Sequence, residues 1–243
     1  HGRSVGQHAA LHVGQGRLLR FDLRDFFSTV SAARIHALFK TLGYSTAVAR
    51  SLTALCTTSA PEAWLRQEKR LSWLQKQRLR DAHLPQGAPT SPALANLCAF
   101  GLDARLNGLA ESFGARYSRY ADDLVISGPA SLPVRLIGAW VSAIAADEGF
   151  AIHRGKTRSL GGAHRQSVCG IVVNARPNLP RDEFDRLKAT LHRCVVDGPI
   201  SQNRDGHADW RAHLQGRVAW AAQLNPVKAE KLKRLLDRID WAR

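Results

Sequence analysis

The chain has no methionine anywhere, not even at position 1, where it opens on His1-Gly2. A translation product starts with methionine, so this opening points to a fragment or a processed form. No apolar run approaches the roughly 18 residues of a membrane span, and no secretory leader opens the chain. A membrane partner is therefore not expected. The four cysteines, Cys56, Cys98, Cys169 and Cys194, lie far apart with no Cys-x-x-Cys spacing. That argues against a disulfide frame or zinc ribbon and for reduced, buried thiols in a cytoplasmic protein. His8 and His12 have the i,i+4 spacing that can hold a metal on a helix, but they lack a nearby third ligand. Acidic residues are scarce, with 20 Asp and Glu against 35 Lys and Arg, a formal net charge of +15. Most of the excess is Arg, spread from Arg3 to Arg243. Arg recognises phosphate through paired hydrogen bonds, so this distribution suits a nucleic acid or another anionic surface. A solvated basic surface without a partner is the plainer alternative.

At 243 residues the chain can bury a sizeable core. Leu18-Leu19-Arg20-Phe21 reads as a short strand ending at Asp22. Ser31 caps a helix through about Lys40, and Ser45 begins another through about Cys56. Glu62 to Arg80 reads as a basic helical stretch with Trp64 and Trp73 interleaved, either core tryptophans or nucleic-acid contacts. After the loop from Leu84 to Thr90, Ser91-Pro92 is a helix start, with Ser91 at the N-cap. Leu94, Leu97, Cys98, Leu102 and Leu106 then mark one helical face. Pro133 to Glu148 forms a helix ended by Gly149, and Val168 to Val173 a short strand segment. Pro177 to Pro180 reads as a linker, and the rest is nearly all helical. Strands and helices interspersed, then helices alone, give an α+β core followed by a helical domain.

The most informative residues are Asp122 and Asp123. Arg116 to Tyr120 and Leu124 to Ser127 read as two short strands joined by a tight turn, with both carboxylates at its tip. Adjacent like charges repel, so a half-buried pair calls for cations beside it. Hard divalent ions with oxygen ligands fit, and two of them about 3.5–4 Å apart serve in-line phosphoryl transfer. Turn chemistry alone also explains an Asp-Asp pair. Asp22 ends a separate apolar run upstream and supplies a third carboxylate.

In order, the blocks are Phe21-Asp22-Leu23-Arg24-Asp25-Phe26-Phe27, Leu84 to Pro92, Tyr120-Ala121-Asp122-Asp123, Gly155-Lys156-Thr157 and Val168-Cys169-Gly170-Ile171. This series resembles a reverse transcriptase, block by block. Leu84-Pro85-Gln86-Gly87-Ala88-Pro89-Thr90-Ser91-Pro92 is similar to the second palm block of the retron type, bacterial enzymes that make single-stranded DNA from a dedicated RNA. His8-Ala9-Ala10-Leu11-His12 is similar to that group's Asn-Ala-x-x-His element, with His8 for Asn. Val168-Cys169-Gly170 is similar to its Val-Thr-Gly element, with Cys169 for Thr.

The resemblance implies a right-hand polymerase palm with a small antiparallel sheet, partial fingers and a helical thumb. The expected divisions are a fingers remnant at 1–16, a palm at 17–175 with a fingers insertion at about 32–84, and a thumb at 176–243. The implied reaction is RNA-directed DNA synthesis from deoxynucleoside triphosphates on an RNA template, with DNA as product and a dedicated non-coding RNA as partner. Intron-encoded or phage-defence reverse transcriptases, and an inactive RNA-binding module, are the rival readings. Two Mg2+ ions, with Mn2+ as a substitute, would be bridged by Asp22 and Asp122 and assisted by the Leu23 carbonyl. Asp123 would contribute mainly to local potential. Phe27 stands where the family places its gate against the ribose 2′-hydroxyl, and alternation along an extended segment assigns Phe26 to the core. Backbone N–H groups of Asp25 and Phe26 would face the triphosphate. Gln86 and Gly87 would hold the incoming nucleotide ahead of a helix N-terminus. Lys156 matches the family's proton donor to pyrophosphate, with His153 in place of the usual Asn. Val168, Cys169 and Gly170 would support the primer terminus. Arg211, Arg217, Lys228, Lys231, Lys233 and Arg234 suit a thumb that follows a phosphate backbone, or solvated faces of amphipathic helices.

Overall fold

The computed structural model describes residues 4–242; His1, Gly2, Arg3 and Arg243 lie outside the described residues. In chain order the elements begin with α1 (Val5–Ala10), β1 (Arg17–Asp22), α2 (Phe26–Thr29), α3 (Ala32–Thr41) and α4 (Thr46–Cys56). There follow α5 (Glu62–Gln67), α6 (Trp73–Arg80), α7 (Ser91–Cys98), α8 (Phe100–Ser112), β2 (Arg116–Tyr120) and β3 (Asp123–Gly128). Then come α9 (Val134–Asp147), a 3₁₀ turn Arg154–Lys156, β4 (Arg158–Gly161), β5 (Ser167–Val168) and β6 (Ile171–Val172). The chain closes with α10 (Arg181–Asp197), α11 (Trp210–Leu224) and α12 (Pro226–Leu236). It divides into two compact units, Arg17–Ser159 and a second made of His1–Gly16 with Leu160–Arg243. Among the described residues no helix is long and apolar enough to cross a membrane.

The first unit is organised by antiparallel strands in the order β2-β3-β1. β1 and β3 pair from Arg17 opposite Gly128 to Asp22 opposite Asp123. Period-2 alternation sends Leu19 and Phe21, with Leu124 and Ile126, into a core shared with Leu102 and Leu106 of α8 and Ile137 and Val141 of α9. The other face of the pair carries Arg20, Asp22 and Asp123. Burial on one face thus fixes which residues stand on the other.

Ser31 and Ser45 cap α3 and α4 as the sequence predicts, each accepting the backbone N–H three residues on. Three helical readings need correction. The stretch from Glu62 to Arg80 is two helices, because Glu68 and Ser72 adopt extended backbone. Its tryptophans are not core: Trp64 is 46% and Trp73 76% exposed. The helix after Pro92 breaks at Ala99 into α7 and α8, and Leu97 faces outward. Ser91 is not the cap, a place taken by Thr90; Ser91 is buried and donates to the Pro85 carbonyl at 2.6 Å, tying down the loop before the helix.

In the second unit, the expected strand 168–173 is instead a hairpin, β5 and β6 joined by Cys169-Gly170. Both turn residues have positive φ, 47° and 80°, the backbone that a two-residue hairpin of matching twist needs. Near it the Gly14 amide donates to Val173 at 3.0 Å. α10, α11 and α12 pack together, burying Leu187, Leu191, Leu214, Val218 and Leu232. Asn225 caps α12 and also donates to Asn178 at 2.7 Å. None of the four cysteines forms a disulfide; Cys194 is buried and the other three are half-buried.

Two glycines of the first unit call for opposite responses to alanine. A methyl at Gly128 would meet Leu132 at 3.1 Å and Ala115 at 3.2 Å, whereas at Gly138, inside α9, it meets nothing within 4 Å. Gly128→Ala is expected to cost about 1–3 kcal/mol by overpacking. Gly138→Ala is expected to stabilise by about 0.5–1 kcal/mol through helix propensity. Thermal melting of both variants measures the two signs.

Candidate active site

Pairing of Tyr120 with Asp123 leaves Ala121-Asp122 as a two-residue turn. Ala121 has φ 52°, a left-handed backbone that costs a residue with a Cβ roughly 1–2 kcal/mol. Asp22 lies directly opposite Asp123, and the Leu23 amide donates to the Asp122 carbonyl at 2.9 Å. The structure therefore brings Asp22, Leu23, Asp122 and Asp123 to one end of the β1–β3 pair.

Like charges directly across a strand pair destabilise it unless cations intervene. Lys156 Nζ donates to both Asp22 oxygens, at 3.1 and 3.0 Å, and Arg20 reaches both Asp123 oxygens at 3.4 Å. Arg20 stands diagonally to Asp123, two residues before Asp22 on the same face of β1. Asp122 forms no ion pair among the described residues. Its pKa is raised, first by burial and then by the charges of Asp22 and Asp123, while that of Lys156 is raised by the hydrogen bond to Asp22. Among the described residues no set of three His, Cys, Asp or Glu side chains clusters as a ready-made metal site. The carboxylates turn toward Lys156 and Arg20. The donor set still fits a hard divalent cation: three carboxylates, of which Asp122 is the one without an ion pair among the described residues.

A cleft of about 450 Å³ opens beside these groups, lined by Asp22, Asp122 and Lys156 and closed by Phe27, Gln75 and Gln86. Phe26 is 4% exposed and Phe27 half-buried at the cleft. Phe26 belongs to the core as expected, but it lines the cleft as Phe27 does, and Phe27 also packs against the core; both residues begin the helical turn α2 rather than an extended segment. Asp25 precedes them with φ 53°, and its carboxylate accepts from Gln75 at 3.2 Å and Arg78 at 3.3 Å on α6. Gly87 turns the loop beside Gln86 with φ 95°. His153 also lines the cleft, its amide bonded to the Asp22 carbonyl at 2.7 Å and its Nδ1 buried without a hydrogen-bond partner. Val168, Cys169 and Gly170 form the hairpin of the other compact unit. His8 and His12 are both buried, with rings 5.9 Å apart in an edge contact.

Sequence reasoning missed Arg20, Asp103 and Arg119. Arg20 was within reach, because strand periodicity puts residues i and i+2 on one face. Arg119 meets Asp103 from a different element, α8, and nothing local announces that pair.

The family model for reverse transcriptase (RNA-dependent DNA polymerase) matches residues 1–173. The chain belongs to the reverse transcriptase family, and its mixed helices and small antiparallel sheet form that family's palm-like fold. It is 40% identical over 240 residues to the retron Mx65 reverse transcriptase of Myxococcus xanthus, covering 96% of this chain and 52% of that protein. It is 33% identical to the retron Mx162 reverse transcriptase of Myxococcus xanthus, covering 93% and 48%. It is 32% identical to the retron Ec86 reverse transcriptase of Escherichia coli, covering 98% and 64%. The chain spans about half the length of the first two of these curated relatives.

The raised pKa of Asp122 fixes a sign. A carboxyl that binds its proton more tightly when folded favours the fold below the ordinary carboxylate range, and this contribution is lost as pH rises through the raised value. At neutral pH the ionised group therefore works against folding. Asp122→Asn is expected to melt above the wild type at pH 7 in metal-free buffer, with the gap shrinking toward pH 4 and narrowing when Mg2+ is added. Melting curves in chelator and in Mg2+ check both trends.

Proposed function

We propose that this chain is an RNA-directed DNA polymerase of the retron type, extending a primer with deoxynucleotides on an RNA template. The observation that carries this reading is the β1–β3 register, with Asp22 opposite Asp123 and beside Asp122 at the mouth of a cleft bounded by Lys156 and Phe27. Asp22 and Asp122, with the Leu23 carbonyl, would hold two Mg2+ ions, or Mn2+, which neutralise the attacking and leaving oxygens of phosphoryl transfer. Asp123, paired with Arg20, sets the potential beside them. Lys156, held protonated by Asp22, gives its proton to the departing pyrophosphate. Amides of Asp25 and Phe26, with Gln86 and Gly87, receive the triphosphate, and Phe27 rejects a 2′-hydroxyl by contact with the sugar. The Val168-Cys169-Gly170 hairpin supports the primer end, and helices α10–α12 act as a thumb. The retron names of the relatives support a dedicated non-coding RNA as the template, and the reduced cysteines are in keeping with the cytoplasm.

Metal-dependent primer extension tests the reading. The wild type is expected to extend a primer on RNA with deoxynucleotides and Mg2+, and Asp122→Asn to lose addition while keeping its RNA affinity. That affinity should fall with salt at a log–log slope of about −0.7 per contacted phosphate on single strands. RNA binding without any metal-dependent extension would make the chain a binding module instead.

Phe27→Ala is expected to relax sugar selection, raising ribonucleotide use relative to deoxynucleotide. Were Phe27 a core residue, truncation would cost about 3–5 kcal/mol and leave the preference unchanged. Competing ribo- and deoxynucleotide incorporation, read beside a melting curve, separates the two.

A further inference from the structure

Arg119 is a charged side chain that is only 5% exposed, and it touches none of the candidate carboxylates. Its Nε and Nη2 donate to the two oxygens of Asp103 on α8, at 2.8 and 2.6 Å. Its Nη1 donates to Asn96 Oδ1 on α7 at 2.9 Å and to the Ala121 carbonyl at 3.0 Å. Tyr117 adds a hydroxyl donation to Asp103 at 2.7 Å. The guanidinium carbon also lies 5.4 Å from the centre of the Phe26 ring, and Phe26 meets Phe27 edge-on at 5.4 Å. One planar group therefore joins the α7–α8 helices, the turn that presents Asp122, and the aromatic pair at the cleft.

That turn needs an outside hold. Ala121 sits at φ 52° where a tight hairpin would normally use glycine, and such a backbone persists only where its surroundings over-determine it. Arg119 is buried while Asp103 is one-third exposed, and a pair that desolvates one charge in this way contributes little net stability compared with an apolar pair of the same size, so fold stability alone does not account for it. An apolar pair could not bind the Ala121 carbonyl. Lysine could not either while also gripping Asp103, since it lacks the rigid fork of donors.

We propose that Arg119 is a positioning residue that holds the Ala121-Asp122 turn and the Phe26–Phe27 pair in one fixed relation. Carboxylate placement and sugar discrimination then depend on the same guanidinium. This rests on the polymerase reading, and it adds a coupling between the carboxylate turn and the aromatic pair of the cleft.

The test compares Arg119→Lys with Leu106→Ala, a core truncation on α8 that lowers stability without touching the turn. Both are assayed well below their melting temperatures. Arg119→Lys is expected to lower kcat for a deoxynucleotide about tenfold to a hundredfold, with KM nearly unchanged, and to weaken ribonucleotide rejection about tenfold. Leu106→Ala is expected to melt earlier yet keep the wild-type kcat and sugar ratio. Wild-type values in Arg119→Lys, or the same two losses in Leu106→Ala, would overturn the proposal. If the wild type extends no primer, the polymerase reading falls on its own, and amide hydrogen exchange decides the coupling. The Leu23 amide, bonded to Asp122, should then exchange at least about tenfold faster in Arg119→Lys, while the Arg24 amide, bonded to Ala151, stays unchanged. Equal protection of Leu23 in both proteins would overturn it.

Discussion

The repulsion between Asp22 and Asp123 is the constraint around which the rest of the cleft is arranged. Their opposition belongs to the register that also sends Leu19, Phe21, Leu124 and Ile126 into the core together. A slip of one residue in either strand would carry that strand's two core residues to the wrong face. The hydrophobic term, worth roughly 1.5–3 kcal/mol for each such side chain, outweighs the repulsion between these two partly buried carboxylates. Lys156 and Arg20 each offset one of them. Asp122 is left over, half-buried and with its proton held more tightly than usual. The site thus holds one carboxylate more than the two cations paired within it.

Strain gathers at the same place. Ala121 and Asp25 both adopt left-handed backbone; Asp25 lines the cleft, and Ala121 directly precedes Asp122, which lines it too. Asp25 is restrained by Gln75 and Arg78 of α6, and Ala121 by Arg119, two residues before it in β2 and itself anchored on Asp103 of α8. Cys169-Gly170 gives the contrast. There the positive φ values belong to a hairpin turn with glycine at one of its two positions.

The strands and caps were legible in the sequence because their causes are local. The run from Leu18 to Asp22, the Ser31 and Ser45 caps, and Gly149 after α9 each carry their signal within a few residues. The carboxylates were legible too, as hairpin tip and strand end. What failed was also local in origin. Helical periodicity ran unbroken across Ala99 and across 68–72, since nothing in the residue pattern marks where backbone leaves the helix. Ser91 looked like a cap because a buried serine bonding back to Pro85 has the same sequence as a capping one. Arg119 with Asp103 and Asp25 with Arg78 were invisible, because each pairs residues from elements that only the folded chain brings together.

Localised cleavage by Fe2+ in place of Mg2+ tests the proposed shared ion site most directly. With ascorbate and peroxide, an iron held between the two strands generates hydroxyl radicals that cut the nearest backbone. Cuts are predicted at two separate segments, around Asp22 and around Asp122–Asp123, both suppressed by excess Mg2+ and lost in Asp122→Asn. Cutting at one segment alone, or cutting that Mg2+ does not suppress, would contradict a cation shared across the β1–β3 register.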